Sequence, residues 1–230
     1  MAAPHLLDNP VLSSLSGPHA RFAQQQGNVV RYPPAVCPFA GMPADPDAAD
    51  WADAARLAGP GRVLALAAEP PRPAGWQAEM RLEGVQMTGE AVAGKADPEA
   101  VLLGAADVPE MLSLAERTRP GPFLRRTHEM GTYLGIRRDG ALVAMAGERL
   151  HPAGWTEVSA VCTDPAWRGH GLASRLILAA VAGIQARGEA PFLHAVTANV
   201  NAIRLYEELG FGIRRPIVFS VLRVPGAGPA

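Results

Sequence analysis

The chain has 230 residues, 48% hydrophobic and 19% charged, with a formal net charge of -1. This is the composition of a globular protein with a real core, and so small a charge excludes an overall field that would recruit nucleic acid or an anionic membrane. No uninterrupted apolar run approaches the roughly 20 residues of a membrane helix, and Met1–His5 lacks the basic start and apolar core of a secretory signal; a soluble cytoplasmic protein with reduced thiols at Cys37 and Cys162 is expected.

The segment before Gly89 is broken repeatedly by proline, at Tyr32-Pro33-Pro34, Cys37-Pro38 and Pro70-Pro71-Arg72-Pro73. Between the breaks, Pro18 to Gln26 reads as a helix opened by proline and closed by Gly27. Asp47 reads as the cap of a helix through Trp51, Ala55 and Ala58, stopped by Gly59-Pro60-Gly61. Arg62 to Ala67 reads as a buried strand, and Ala78 to Met87 as another, with Met80 and Leu82 on one face and a phase slip at Gly84. No chemistry is legible in this half.

Gly89-Glu90-Ala91-Val92-Ala93-Gly94-Lys95-Ala96 nearly spells the phosphate-loop pattern G-x-x-x-x-G-K-[ST]. Ala96 replaces the hydroxyl that would ligate magnesium, and Asp97-Pro98 follows where a helix should begin. It is read as a flexible linker.

From Ala100 the pattern is regular. Ala100 to Leu103 is a short strand, and Asp107-Val108-Pro109-Glu110 resembles a capping box opening a helix through Met111, Leu114 and Ala115. Thr132–Arg137 and Ala141–Glu148 form a hairpin across Arg138-Asp139-Gly140, and Trp155–Cys162 adds a third antiparallel strand. Leu172, Leu176, Ala180 and Ile184 mark the apolar stripe of a helix ending at Arg187 and Gly188. Phe192–Thr197 is a strand, Asn201–Leu209 a helix closed by Gly210, and Pro216–Arg223 the last strand. The organisation expected is an N-terminal half of residues 1–96, a domain of residues 97–225 and a frayed tail of residues 226–230.

Trp167-Arg168-Gly169-His170-Gly171-Leu172-Ala173-Ser174 lies between a strand and a helix. Glycine permits positive φ and leaves no side chain to hold a ligand away, and the first turn of a helix offers free amides and partial positive charge. That combination can cradle a phosphate, with Arg168 adding a charged fork; on its own it is equally a structural turn. Downstream stands Asn199-Val200-Asn201-Ala202-Ile203-Arg204-Leu205-Tyr206-Glu207-Glu208-Leu209-Gly210-Phe211. Asn199 or Asn201 can cap this helix, and Tyr206 shares a face with Ala202.

The R-G-x-G-x-A stretch resembles the acyl-CoA-binding motif of the GNAT superfamily of N-acetyltransferases, and the second stretch resembles that family's N-x-x-A-x-x-L-Y-x-x-x-G-F signature. A Rossmann fingerprint fits worse in spacing, and the preceding strands are antiparallel. The resemblance covers about Ala100 to Arg223 and is nearest, around Glu157–Thr163 and Phe192–His194, to the glycine N-acyltransferase branch. It implies a mixed α/β (α+β) fold with a mostly antiparallel central sheet flanked by helices. Residues 1–96 resemble leader halves of that branch, a degenerate acetyltransferase-like unit packed beside the catalytic one.

The resemblance implies that amides from Arg168, Gly169, His170, Gly171, Leu172 and Ala173, with Ser174 as a further donor, hold the pyrophosphate of coenzyme A. Val161, Cys162 and Thr163 would pair with the pantetheine arm beside a bulge, and Asn199 would line the site. Tyr206 would protonate the leaving thiolate. Glu157 stands where family members often carry the base, although an exposed strand glutamate, an ion pair with an arginine, or a water chain are open alternatives. Ser159 could position water. His194 is read first as a hydrogen-bonded core histidine, with a base or substrate contact as the alternative. His170 is a variable loop position, Cys162 is buried rather than nucleophilic, and the six histidines and two cysteines show no metal-ligand spacing.

The function implied is acyl transfer from acetyl-CoA, or another acyl-CoA, to a primary amine of a small molecule or amino acid by direct attack. No metal, nucleic acid or membrane is expected to take part, and a monomer or homodimer is expected. A protein lysine or N-terminal acetyltransferase would share the motifs but need an open groove, where a small-amine enzyme has its cleft roofed by the N-terminal half. A non-catalytic acyl-CoA sensor is the alternative of a different class.

Overall fold

The computed structural model describes residues 5–226; the end of the expected tail, 227–230, lies outside the described residues. In chain order the elements are α1 (Pro10–Leu15), β1 (Gln24–Gln26), β2 (Val29–Arg31), β3 (Phe39–Gly41), α2 (Ala48–Ala58), β4 (Val63–Leu66) and β5 (Gln77–Thr88). There follow β6 (Val101–Leu103), α3 (Val108–Thr118), β7 (Tyr133–Arg138), β8 (Ala141–Glu148) and β9 (Trp155–Thr163). The chain closes with α4 (Leu172–Ala186), β10 (Ala190–Val196), α5 (Val200–Glu208) and β11 (Gly212–Arg223).

All the strands join one mixed, mostly antiparallel sheet of order β1-β2-β3-β4-β11-β5-β10-β9-β8-β7-β6. The two parallel contacts are β3 with β4 and β10 with β9. Thus β5, from the segment before residue 97, lies between β10 and β11, paired along both edges. The final strand begins before Pro216, at Gly212, with a register shift between Ile213 and Arg215.

Local chemistry accounts for the boundaries. The Asp47 carboxylate accepts from the amides of Ala49 and Asp50, Asp50 answers to the Asp47 amide, and Gly59 ends α2 at φ +93°. Asp139 and Gly140, at φ +51° and +81°, form the tight turn between β7 and β8. Alternation on β8 sends Met145 toward α3 and Ala144 and Ala146 toward α4, so the two helices cover opposite faces. On β10, Phe192 and Leu193 likewise serve different cores.

Other expectations change too: no slip occurs at Gly84, since β5 shifts register against β11 at Ile213–Arg215 and Val221–Leu222 instead. Pro18 to Gln26 holds a short 3-10 turn (Ala20–Phe22) followed by β1, because Gln24–Gln26 pairs with Val29–Arg31 across Gly27. Asp107 does not cap α3; its carboxylate takes the Gly104 amide and Arg137, while Glu110 takes Arg137 and the Leu142 amide. The phosphate-loop look-alike is a packed strap, with Val92 buried and the Lys95 amide bonded to the Leu178 carbonyl at 3.0 Å. A side chain at Gly94 would collide with the backbone of Ala182 in α4. Among the described residues no helix is long and apolar enough to cross a membrane.

Candidate active site

The site starts from a defect in β9. Ala160 has φ +53°, and the pairing with β8 shifts register between Met145–Cys162 and Gly147–Ser159, which is a bulge. Pairing of β9 with β10 ends at Phe192–Glu157, while β10 continues along β5 as far as Val196–Gly84. The two parallel strands therefore part after Glu157, and the edge of β9 from Val158 to Thr163 faces a cleft of about 1100 Å³. A strand edge whose partner has moved away has backbone groups to offer an extended ligand.

The glycine loop forms the next wall. Asp164 caps a 3-10 turn (Pro165–Trp167) and pairs with Arg117 at 3.0 Å. Gly169 and Gly171 then take φ +79° and +70°, in space where an added Cβ would meet nothing within 4 Å. Gly171 is the N-cap of α4 and has no side chain to satisfy the first-turn amides, which remain open to an anion. Arg168, Gly169, Gly171, Leu172, Ala173 and Ser174 all line the cleft. His170 does not: its Nδ1 lies 3.0 Å from the Arg168 carbonyl and its ring packs on Trp167, so it braces the loop.

Helix α5 supplies the opposite wall. Asn199 caps it through the Ala202 amide at 3.3 Å and lines the cleft, as does Tyr206. Burial pushes the Tyr206 phenol up to about 12, so the hydroxyl keeps its proton at neutral pH. Cys162 and Thr163 are on the β9 wall. Burial raises the Cys162 thiol to about 11, which disarms it as a nucleophile. The Thr163 Oγ1 is buried without a hydrogen-bond partner among the described residues. These features suit an acyl-CoA: open amides for the pyrophosphate, an unpaired strand edge for the amide-bearing arm, and a phenol for the thiolate.

Glu157, expected as the base, lies beneath the wall instead of on it. Its side chain is wholly buried, and its two oxygens receive Arg149 Nη2 at 2.6 Å and Nε at 2.9 Å. The Leu150 amide and His194 add further bonds. Burial alone would raise this carboxyl, but the Arg149 charge and hydrogen bonds, with His194, outweigh it and hold it at about 2. The ion-pair alternative is what the geometry contains. Arg149 itself lines the cleft, its guanidinium 5.2 Å from the centre of the Phe39 ring.

The cleft is also walled by residues from the segment before 97, namely Pro38, Phe39, Ala65, Met80 and Leu82, beside Phe219 and Val221 of β11 in the same sheet. Sequence reasoning missed Arg149, Phe39 and Gln86 as parts of the site. None belongs to a motif: Arg149 and Phe39 line the cleft, and Gln86 lines the adjoining cavity and meets the cleft through His194.

Comparison with known proteins identifies the fold and the family. Residues 133–219 match the family model described as FR47-like protein. The crystal structure of a GNAT-family protein from Novosphingobium aromaticivorans DSM 12444 shares 42% identity, covers 98% of this chain and 100% of that one, and superposes with a TM-score of 0.88. A GCN5-related N-acetyltransferase from Kribbella flavida has the same fold at 22% identity, with 94% and 95% coverage and a TM-score of 0.59. A mycothiol acetyltransferase from Nocardiopsis dassonvillei is 36% identical over 93 residues, a match spanning 36% of this chain and 28% of that protein's length.

Proposed function

The chain belongs to the GNAT family of acetyltransferases, and from that premise we propose that it transfers an acyl group from acetyl-CoA, or another acyl-CoA, to the primary amine of a small molecule. The observation that carries this reading is one continuous cleft joining the Gly169–Ser174 loop, the β9 edge and Tyr206 to walls formed by Phe39, Ala65, Met80 and Leu82. A cleft walled in part by the chain's own N-terminal segment suits a small acceptor better than a protein surface. The name of the Nocardiopsis relative, a mycothiol acetyltransferase, supports the same class.

In this reading the amides of Gly169 to Ser174 and the Arg168 fork hold the pyrophosphate. The edge of Val161, Cys162 and Thr163 aligns the pantetheine arm as a substitute strand, and Asn199 lines the thiol end. A β9 amide near Val161 faces the thioester oxygen and stabilises the charge that develops there on attack. Tyr206 donates its phenolic proton to the departing thiolate.

The test has two arms. Saturating acetyl-CoA raises the melting temperature, because a ligand that binds only the native state stabilises it; no shift would remove the cofactor assignment. Thiol release is then followed with glycine, 2-phenylethylamine, spermidine and short peptides. Turnover confined to peptides would replace the small-molecule acceptor with a protein one, and binding without any turnover would leave an acyl-CoA sensor.

A further inference from the structure

Amine attack requires that the acceptor's ammonium group lose a proton inside the cleft. Among the described residues no aspartate or glutamate lines it; its ionisable lining side chains are Arg119, Arg149, Cys162, Arg168, His194 and Tyr206. The arginines are cations, and Cys162 and Tyr206 are acids that burial keeps protonated. The imidazole is the one member of the set that is a base in its neutral form.

The surrounding network decides which nitrogen is basic. Gln86 Oε1 faces Arg214 Nη1 at 2.7 Å, and a guanidinium only donates, so the carbonyl oxygen of Gln86 points there. The Gln86 amide nitrogen therefore donates, to the Leu7 carbonyl at 2.9 Å and toward His194 Nε2 at 3.0 Å. Nε2 thus carries the lone pair, and Nδ1 carries the hydrogen that bonds Glu157 Oε1 at 2.7 Å. His194 also lines a second cavity of about 520 Å³, shared with Leu7 and Gln86, so its ring stands where the two spaces meet.

We propose that His194 is the general base of the acyl transfer and that Glu157 is its positioning residue, an assignment resting on the acyltransferase reading above. His194 Nε2 takes one proton from the acceptor ammonium, which displaces the Gln86 N–H from that lone pair. Gln86 retains its bonds to Leu7 and Arg214. The freed amine forms the N–C bond, the C–S bond breaks, and Tyr206 protonates the thiolate. The second amine proton restores the Tyr206 phenol, and the imidazolium returns its proton to solvent. The charged groups touching the ring or its partners are Glu157 from β9, Arg149 sharing that carboxylate, and Arg214 from β11 behind Gln86, itself paired with Asp8; Phe192 and Phe219 pack edge-on, 5.6 and 5.7 Å from the ring centre. Imidazolium formation is thereby answered by a carboxylate already in contact.

The test follows thiol release from acetyl-CoA with glycine, 2-phenylethylamine and spermidine over pH ~6 to ~9, for the wild type, His194→Gln and His194→Ala. His194→Gln is expected to lose about 10²- to 10⁴-fold in kcat near neutral pH and to keep its acetyl-CoA Kd within about twofold. Its deficit shrinks as pH rises and the free amine accumulates, and added imidazole restores part of the activity of His194→Ala. A pH profile of His194→Gln superimposable on that of the wild type, or a deficit that is constant with pH and unrelieved by imidazole, overturns the base. A wild type that binds no acetyl-CoA, or transfers to no amine, overturns the acyltransferase reading and the base with it.

Discussion

Glu157 and Arg149 meet as a two-point ion pair, at 2.6 and 2.9 Å, with the carboxylate wholly buried. Removing one partner leaves the other charge desolvated and unanswered. Glu157→Gln and Arg149→Met are each expected to cost about 3–5 kcal/mol in urea unfolding. The double replacement by Leu and Met should cost less than either alone. Because the folded carboxyl sits at about 2, below its ordinary 4.5, the pair's contribution is full above the ordinary value and is lost as pH falls toward 2. A single-variant loss below about 1 kcal/mol would show that water reaches the pair.

Gly171→Ala isolates the backbone requirement of the loop. Nothing lies within 4 Å of the added methyl, so the penalty arises from φ +70° alone, about 1 kcal/mol of stability. Relaxing that strain turns the first amides of α4, and acetyl-CoA binding by calorimetry is expected to weaken about tenfold. Unchanged affinity would mean that the loop amides do not contact the phosphates.

Tyr206→Phe separates chemistry from packing. The ring stays against Phe211, with centroids 6.1 Å apart, so the melting temperature and acetyl-CoA affinity should barely change. The variant's kcat is expected to fall about 10- to 100-fold. With the phenol at about 12, no alkaline loss of activity below about pH 11 should trace to Tyr206. Turnover equal to that of the wild type would free the thiolate from any need for this acid.

His19 bonds Tyr32 within the N-terminal segment at 2.9 Å and ties that segment to the chain before β7 through the Met130 carbonyl at 2.9 Å. Burial first, then the nearby His151, holds its pKa at about 3, below the ordinary 6.5. The unfolded chain takes up a proton that the folded one refuses, so stability is complete above 6.5 and falls as pH drops toward 3. The slope from this group reaches about 1.4 kcal/mol per pH unit. Urea midpoints at neutral pH and at about pH 5 should show the loss, and a His19→Gln variant should show a shallower one.

Much of the candidate site was legible because its signals are local. Gly169 and Gly171 serve φ values that few other residues adopt, Asn199 caps a helix three residues ahead, and Tyr206 sits one turn from Ala202. The errors share a cause as well. Asp107 has the spacing of a capping box, yet Arg137, 30 residues away, and the Gly104 amide claim its carboxylate. Pro18 to Gln26 has a helical opening, yet pairing with β2 converts its end to a strand.

By itself the sequence determined much of what a few neighbouring residues decide: the hairpin turn at Asp139-Gly140, the Asp47 and Asn199 caps, the helix stripes, the glycine loop and the tyrosine's face. Only the tertiary structure decided which distant groups meet. The insertion of β5 between β10 and β11 brings Gln86 to His194 and sets Met80 and Leu82 at the cleft. A residue just past β8, Arg149, pairs with the Glu157 carboxylate, which also bonds His194. Charge pairing and burial act through space, and no spacing along the chain encodes them.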